Sequence, residues 1–261
     1  MPGLEADLTL LRDVVAEAAE LALGHFGNRP KVWQKEGGLG PVTEADLAVD
    51  KLLRKRLLAA RPDHGWLSEE TTDDPVRLSH RRCFVVDPID GTTSFIKGKP
   101  GWAISVGLVE DGVPVAGVIA QPVTKTEFTA ALGHGAWRNG ERLAPDWPLE
   151  GASLAIPRPQ LDAVNWPGGV PVEPVVHGGA LALRLARLAV GDIAGTVTFR
   201  RVWEWDIAAG AVLAAEAGAR LTDRHGAALR FNSPPGALDG LVAAGPVMHD
   251  RLMARIAPGD S

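Results

Sequence analysis

The segment Asp87-Pro88-Ile89-Asp90-Gly91-Thr92 follows the apolar run Cys83-Phe84-Val85-Val86, and the acidic pair Glu69-Glu70 precedes both. Two carboxylates about 4 Å apart repel each other by roughly 4 kcal/mol at an effective dielectric near 20. A folded protein keeps such carboxylates ionised only with a cation between them, or else their pKa values rise. Because oxygen ligands favour hard ions, the segment predicts a site for Mg²⁺ or Mn²⁺ rather than zinc at the end of a buried strand.

The residues that follow the acids are suited to binding an anion. Gly91 allows the backbone to approach a ligand closely, and the hydroxyl and N–H groups of Thr92 and Thr93 are potential donors. Pro88 should end strand pairing and turn the chain sharply, because it lacks an N–H and has a fixed φ. Metal and anion together indicate phosphate chemistry. The alternative is an Asp-rich turn that only caps a helix beginning at Thr92 or Thr93.

Two rival acidic motifs do not fit this segment. The Ca²⁺ loop of an EF-hand needs alternating acids and a Glu at its twelfth position, and that pattern is missing. The sequence pattern of the haloacid-dehalogenase phosphatases starts with Asp-x-Asp-Gly-Thr, which has one residue between its two acids. In this chain two residues separate Asp87 from Asp90. A nucleophilic aspartate is therefore disfavoured.

Composition limits the classes of function. A chain of 261 residues can bury roughly 70–75% of the surface that its unfolded form exposes, so a sizeable core is possible. There are 27 basic and 32 acidic residues without a block of one sign, which argues against binding to nucleic-acid polymers or membrane surfaces. The single cysteine, Cys83, excludes an internal disulfide. No long apolar run and no signal-like start are evident, so we expect a soluble cytoplasmic protein.

Apolar periodicity predicts two helices at the beginning of the chain. Helical spacing runs through residues 4–26, with Gly27 as a plausible stop. Thr43 with an acid three residues later, Asp46, indicates a capping box that opens a second helix reaching to about residue 60. Leu47 should lie on the inner side of that helix.

The remainder divides at a Pro-rich stretch, residues 145–174, into approximate subdomains 1–150 and 151–261. The first should contain a mainly antiparallel sheet after the helix pair, and the second should alternate helices and strands as a further α/β layer. Strands of the first part are predicted at 66–68, 83–86, 103–109, 113–120 and 128–132. The second part is predicted to have helices at 180–190, 206–217 and 247–256 and strands at 193–198, near 221 and at 241–244.

The joint occurrence of Asp-Pro-Ile-Asp-Gly-Thr at 87–92 and Trp-Asp-Ile-Ala-Ala-Gly at 205–210 resembles the inositol monophosphatase superfamily of Mg²⁺-dependent, lithium-sensitive phosphatases. Lys35, Pro-Val-Thr-Glu-Ala-Asp at 41–46 and Ser-Glu-Glu at 68–70 match in the same order. Taken alone, Asp206 would be read as a helix N-cap. The resemblance implies one α/β domain over residues 1–261, layered α-β-α-β-α as in the inositol monophosphatase and fructose-1,6-bisphosphatase type, and a homodimer.

The resemblance also implies a set of metal ligands. Glu69, Asp87 and the Ile89 carbonyl would hold a first Mg²⁺. Asp87, Asp90 and Asp206 would hold a second, so that Asp87 bridges the two ions. A third, weaker ion would sit near Glu69 through waters, and Mn²⁺ is a possible substitute. Glu69 is favoured over its neighbour in the chain as the ligand.

Roles for the remaining site residues follow from the same resemblance. The N–H groups of Gly91 and Thr92, together with Thr93, would bind the substrate phosphate. Thr92 and Asp46 would orient and help deprotonate the attacking water, and Glu69 belongs to the same catalytic set. Two cations about 3.5–4 Å apart can clamp both the entering and the leaving oxygen of an in-line displacement. No phosphoenzyme is expected.

The substrate is predicted only as a small phosphate ester. Ser-Glu-Glu at 68–70 and Glu-Trp-Asp at 204–206 look more like bisphosphate nucleotidases, which convert 3′-phosphoadenosine 5′-phosphate to AMP, whereas Thr-Thr-Ser-Phe at 92–95 looks more like inositol monophosphatases. The motifs favour the nucleotidase slightly. Other sugar phosphates, histidinol phosphate and a non-catalytic metal and phosphate binder stay open. Lys35, Arg200 and Arg201 are possible substrate contacts.

Overall fold

The computed structural model describes residues 3–35, 40–147, 149–171, 173, 175–176 and 179–256. Within these ranges no helix is both long enough and apolar enough to cross a membrane. The helices of the described chain are α1 (Leu4–His25), α2 (Glu44–Ala60), α3 (Thr92–Ile96), α4 (Leu181–Val190), α5 (Glu204–Glu216) and α6 (Pro246–Met253).

Most strands belong to two sheets of unequal size. The strands before residue 150 are β1 (Val32–Gln34), β2 (Pro41–Thr43), β3 (Gly65–Ser68), β4 (Arg82–Asp90), β5 (Ala103–Glu110), β6 (Val113–Gln121), β7 (Thr126–Ala131), β8 (Gly135–Arg138) and β9 (Glu141–Arg142). Those after it are β10 (Leu154–Ala155), β11 (Val175–Val176), β12 (Gly195–Thr198), β13 (Val202–Trp203), β14 (Arg220–Thr222), β15 (Ala237–Leu238) and β16 (Leu241–Ala244).

The larger sheet has seven strands in the order β3-β4-β5-β6-β7-β8-β9. Only the β3–β4 pair is parallel, and the other pairs are antiparallel. This confirms the prediction of two helices followed by a mainly antiparallel sheet. The smaller sheet has the order β11-β10-β12-β16-β14, and two antiparallel pairs, β1–β2 and β13–β15, stand apart.

Alternating side chains of β4 connect two layers of core. Phe84 and Val86 pack with buried residues of α1 and α2, whereas Cys83 and Val85 pack with buried residues of α4 and α5. A strand covered by helices on both faces needs apolar residues at every position, which explains the continuous apolar run. β4 therefore lies between helix layers on both faces of the large sheet.

The smaller sheet repeats this arrangement through β16. Leu241 and Ala243 face the α4 and α5 layer, and Val242 and Ala244 pack with Met248 of α6. The order of layers is thus helix pair, large sheet, α4 with α5, small sheet and α6. This confirms the predicted α-β-α-β-α architecture. The proposed division near residue 150 stays a prediction.

Two local predictions were wrong. Leu47 is 45% exposed, because α2 packs through Ala45 and Val49 and the positions that follow at four-residue intervals. Strand pairing does not stop at Pro88. A register shift between Asp87 and Asp90 passes the proline, and pairing resumes where Asp90 lies opposite Ala103 of β5. The irregularity accommodates a residue without an N–H inside a paired strand.

Candidate metal and phosphate site

Three carboxylates converge at the end of β4. Asp87 and Asp90 flank the register shift, and Asp206 reaches them from the first turn of α5. One oxygen from each of the three lies within 4.8 Å of the others. Asp206 is not the helix N-cap that its motif alone suggested, because Trp203 occupies that position. Its carboxylate is therefore free to join the cluster.

The electrostatics of this cluster are those of crowded, buried acids. Burial, followed by repulsion from neighbouring carboxylates, raises the pKa of Asp87 and of Asp206 well above its ordinary value. The pKa of Asp90 is raised chiefly by burial and also by Glu69, although the N–H of Ala182 donates to its Oδ2 at 2.7 Å. A divalent cation bound to these oxygens would restore the ionised forms.

Glu69 and Glu70 follow the last residue of β3, and their carboxylates bond to the same lysine side chain. The Lys35 ammonium donates to Oε1 of each carboxylate at 2.7 Å. Glu69 lines the cavity and raises the pKa of Asp87, whereas Glu70 is almost completely buried and burial raises its pKa to about 7. These observations support Glu69 as the residue that faces an ion. Lys35, predicted as a possible substrate contact, lines the cavity and also bonds to the two acids.

Asp46 bonds to two threonines through different oxygens. Its Oδ2 accepts from the Thr43 N–H at 2.8 Å and from the Thr43 hydroxyl at 2.5 Å. The Asp46 N–H donates in return to the Thr43 hydroxyl oxygen at 3.4 Å, which completes the predicted capping box. Its Oδ1 lies 3.1 Å from the Thr92 hydroxyl, and the Ile89 carbonyl lies 3.1 Å from the same hydroxyl. Burial raises the pKa of Asp46. The structure thus brings together the two residues predicted to orient a water.

The turn that carries Thr92 depends on a glycine. Gly91 has φ = 97°, and a Cβ at this position would lie 2.7 Å from the Gly101 carbonyl. Any other residue would strain the backbone and clash. The turn starts α3, so the N–H groups of Thr92 and Thr93 belong to a first turn without intrahelical acceptors.

A cavity of about 710 Å³ opens over the acids. Arg200 and Arg201, both predicted as substrate contacts, lie on its wall and are exposed. The lining combines acidic residues, the turn at residues 91–93 and three arginines, and it includes Glu69, Asp90, Gly91, Thr92, Thr93, Arg184, Arg200, Arg201, Trp203, Trp205 and Asp206.

Sequence reasoning missed Arg184. It lies on α4, is only 6% exposed and lines the cavity. The charges of Asp90 and Asp206 interact with its guanidinium. Its Nη1 donates to the Thr196 hydroxyl at 3.2 Å, while its buried Nε finds no acceptor among the described residues. A signal existed in the sequence, since Arg184 falls on the apolar face of the helix with Leu181 and Leu188. A charged residue on a buried face is rarely placed there without a partner or a ligand.

Two tryptophans on the wall were also not assigned a role. The rings of Trp203 and Trp205 are stacked, with centroids 4.8 Å apart and planes inclined by 8°. The guanidinium carbon of Arg201 lies 4.9 Å from the centre of the Trp203 ring. Trp203 ends β13 and Trp205 lies in the first turn of α5. Two aromatic residues at this spacing do not by themselves indicate that their rings stack.

Comparison with known proteins covers almost the whole chain. A profile described as the inositol monophosphatase family matches residues 4–258. A histidinol-phosphatase from Mycobacterium tuberculosis is 32% identical, over 97% of this chain and 98% of its own. The inositol-1-monophosphatase SuhB of the same species is 35% identical, over 80% and 79%. The solved structure of extragenic suppressor protein suhB from Bartonella henselae superposes with a TM-score of 0.84 at 28% identity, over 98% and 100%.

Proposed function

This chain belongs to the inositol monophosphatase family and is a phosphoric monoester hydrolase, and we propose that it acts on a small phosphate ester with a second anionic group. The observation that carries the proposal is the convergence of Asp87, Asp90 and Asp206 to within 4.8 Å beside a cavity with three arginines. The acids suit cation-dependent phosphate chemistry. The arginines suit an additional anion.

The donor set fits Mg²⁺. Oxygen ligands at one end of a buried strand match a hard cation, and burial together with repulsion between the carboxylates raises the pKa of Asp87 and of Asp206 when no cation balances their charge. We assign Asp87, Asp90 and Asp206 as ligands, together with Glu69 and the Ile89 carbonyl, for two or three ions, with Mn²⁺ as a substitute. When bound, Mg²⁺ would supply positive charge for the phosphoryl oxygens and lower the pKa of a bound water.

The chain itself would orient the water and move its proton. The Thr92 hydroxyl lies within hydrogen-bond distance of Asp46 Oδ1, so a proton accepted by Thr92 has a carboxylate oxygen to reach. Asp46 Oδ2 is held by Thr43, which fixes the orientation of the carboxylate. The N–H groups of Gly91, Thr92 and Thr93 are assigned to the substrate phosphate. Catalysis would come chiefly from positioning and charge neutralisation.

The rest of the substrate would meet the arginines of the cavity wall. Among the described lining residues, the acids are Glu69, Asp90 and Asp206, and each is assigned to the metal. A substrate amine, as in histidinol phosphate, therefore finds no other carboxylate there. Arg184, whose buried Nε has no acceptor in the described part of the chain, and the exposed Arg200 favour an anion. These features support a nucleoside 3′,5′-bisphosphate, and inositol 1-phosphate is the second candidate, favoured by the relative of that activity.

Steady-state kinetics on matched esters tests the assignment. Phosphate release should require Mg²⁺, and kcat/KM for adenosine 3′,5′-bisphosphate should exceed that for adenosine 3′-monophosphate and inositol 1-phosphate. A higher value for inositol 1-phosphate would select the second candidate. Absence of release from every ester at any Mg²⁺ concentration would indicate a protein that binds metal and phosphate without turnover.

The assembly and location are proposals that rest on the family resemblance. We expect a homodimer in the cytoplasm, and inhibition by millimolar Li⁺. Sedimentation equilibrium measures the oligomeric state directly, and a mass equal to one chain of 27.5 kDa would contradict the homodimer.

A further inference from the structure

Arg201 is held by an aromatic stack at the wall of the cavity. Its guanidinium lies over the ring of Trp203, which is stacked in turn on Trp205. All three side chains line the cavity, and Arg201 is exposed. A planar guanidinium stacks on an aromatic face through its own face and keeps its N–H groups at the edge for a second partner.

The backbone around the stack is fixed on both sides. Trp203 is paired with Ala237 in the β13–β15 ribbon. The next residue, Glu204, is completely buried, and its carboxylate accepts from the N–H groups of Asn232 and Ser233 at 2.6 Å and 3.0 Å. Trp205 packs against the core shared by α4 and α5. The Trp203 ring is therefore a rigid support for a flexible side chain.

A rigid support reduces the conformational entropy that Arg201 loses when it binds an anion. An exposed arginine loses rotamer freedom when it binds a ligand, and a side chain already ordered loses less. From this geometry we infer that Trp203, backed by Trp205, is a positioning residue that presents Arg201 to the second anionic group of the substrate. The inference rests on the proposed function, because it needs a substrate that carries such a group.

The test compares pairs of esters that share the reacting phosphate and differ in the second one. Adenosine 3′,5′-bisphosphate is paired with adenosine 3′-monophosphate, and inositol 1,4-bisphosphate with inositol 1-phosphate. Trp203→Leu should raise KM for the bisphosphates about threefold to fivefold, which is the order of the cost of immobilising one rotamer-rich side chain on binding, with kcat and the monophosphate constants unchanged. Trp203→Phe keeps an aromatic face and should retain most of the wild-type preference.

A double-mutant cycle identifies the residue through which Trp203 acts. In an Arg201→Gln background, Trp203→Leu should cause little further loss, because the supported group is already gone. Full additivity, or an equal loss on both members of each pair, would overturn the inference. Trp203→Val is the second variant if the leucine protein does not fold, since a β-branched residue suits the strand.

The outcomes separate this inference from the proposed function. A wild-type enzyme that hydrolyses both members of each pair with equal kcat/KM contradicts the second-anion proposal, and the inference falls with it. A wild-type enzyme that prefers the bisphosphates while Trp203→Leu keeps the same preference overturns the inference alone.

Discussion

The two carboxylate oxygens of Asp46 act in different parts of the structure. Oδ2 belongs to the capping box with Thr43 at the start of α2, and Oδ1 contacts the Thr92 hydroxyl at the start of α3. Asp46 can therefore cap α2 and also take part in the proposed catalysis. A substitution at Asp46 would disturb both, so Thr92 is the better residue for separating rate from stability.

Thr92→Val should lower kcat by about 100-fold, because the hydroxyl that links the water to Asp46 is removed. The free energy of unfolding should change by only about 1 kcal/mol, the value of one hydrogen bond. Thr92→Ser keeps the hydroxyl and is the matched control, with kcat near that of the wild type. A valine variant with unchanged kcat would remove Thr92 from the proposed mechanism.

Asp87→Asn should have opposite effects on activity and on stability without metal. It removes a proposed metal ligand, so kcat should fall by orders of magnitude. It also removes one of three crowded charges, so the metal-free protein should gain at least about 1 kcal/mol in unfolding free energy near pH 8. Asp13→Asn, at an exposed position of α1, is the control and should change neither quantity. Urea unfolding in EDTA measures the stability, and a destabilised Asp87→Asn protein would contradict the electrostatic account.

Among the helices and strands, α5 sets the position of Asp206 by its close approach to the large sheet. A Cβ at Gly117 of β6 would lie 2.8 Å from the Ala209 Cα, and one at Gly107 of β5 would lie 2.9 Å from the Ala208 Cβ. These glycines leave room for the helix backbone itself. The first turn of α5 is therefore positioned by packing that lies away from the cavity.

Gly117→Ala should push α5 away from the sheet, because helix backbone has no flexible end that can move aside. We expect a loss of about 1–3 kcal/mol in unfolding free energy together with weaker Mg²⁺ binding, since Asp206 moves with the helix. Gly24→Ala is the control. It lies in α1 with no heavy atom within 4 Å of its added Cβ, and it should be neutral or slightly stabilising. Calorimetric Mg²⁺ titration of both variants checks this, and unchanged affinity in Gly117→Ala would refute the coupling.

For the molecule as a whole, the layered fold brings together acids that are distant in the chain. Sequence patterns predicted the helices, the buried strand and the acids of 87–90, because capping, periodicity and turn chemistry are local. The face of α2 that bears Leu47 and the strand pairing beyond Pro88 were mispredicted, since both depend on neighbouring elements. Arg184 and the stack of Trp203 and Trp205 owe their position in the cavity to packing between layers.

The metal-free molecule should lose stability as pH rises. The folded-state pKa values of Asp87 and Asp206 are raised above their unfolded values, so the folded state binds more protons. This contribution is fully present below the unfolded pKa of about 4 and is lost as pH rises through the folded-state values. Saturating Mg²⁺ should reverse the trend. Urea unfolding in EDTA and in Mg²⁺, from about pH 5 to about pH 8, gives both slopes. Burial lowers the pKa values of His64 and His249, which contribute the opposite slope, so the wild type is compared with Asp87→Asn. A metal-free slope that is as steep in Asp87→Asn as in the wild type would contradict the assignment.

The claim that these carboxylates bind divalent ions together is tested most directly by anomalous scattering from a crystal soaked in Mn²⁺. We expect an anomalous peak in contact with oxygens of Asp87, Asp90 and Asp206, and its loss in an Asp87→Asn crystal. A Mn²⁺-saturated crystal with no peak between these three side chains, or with Asp206 turned away from the end of β4, would contradict it.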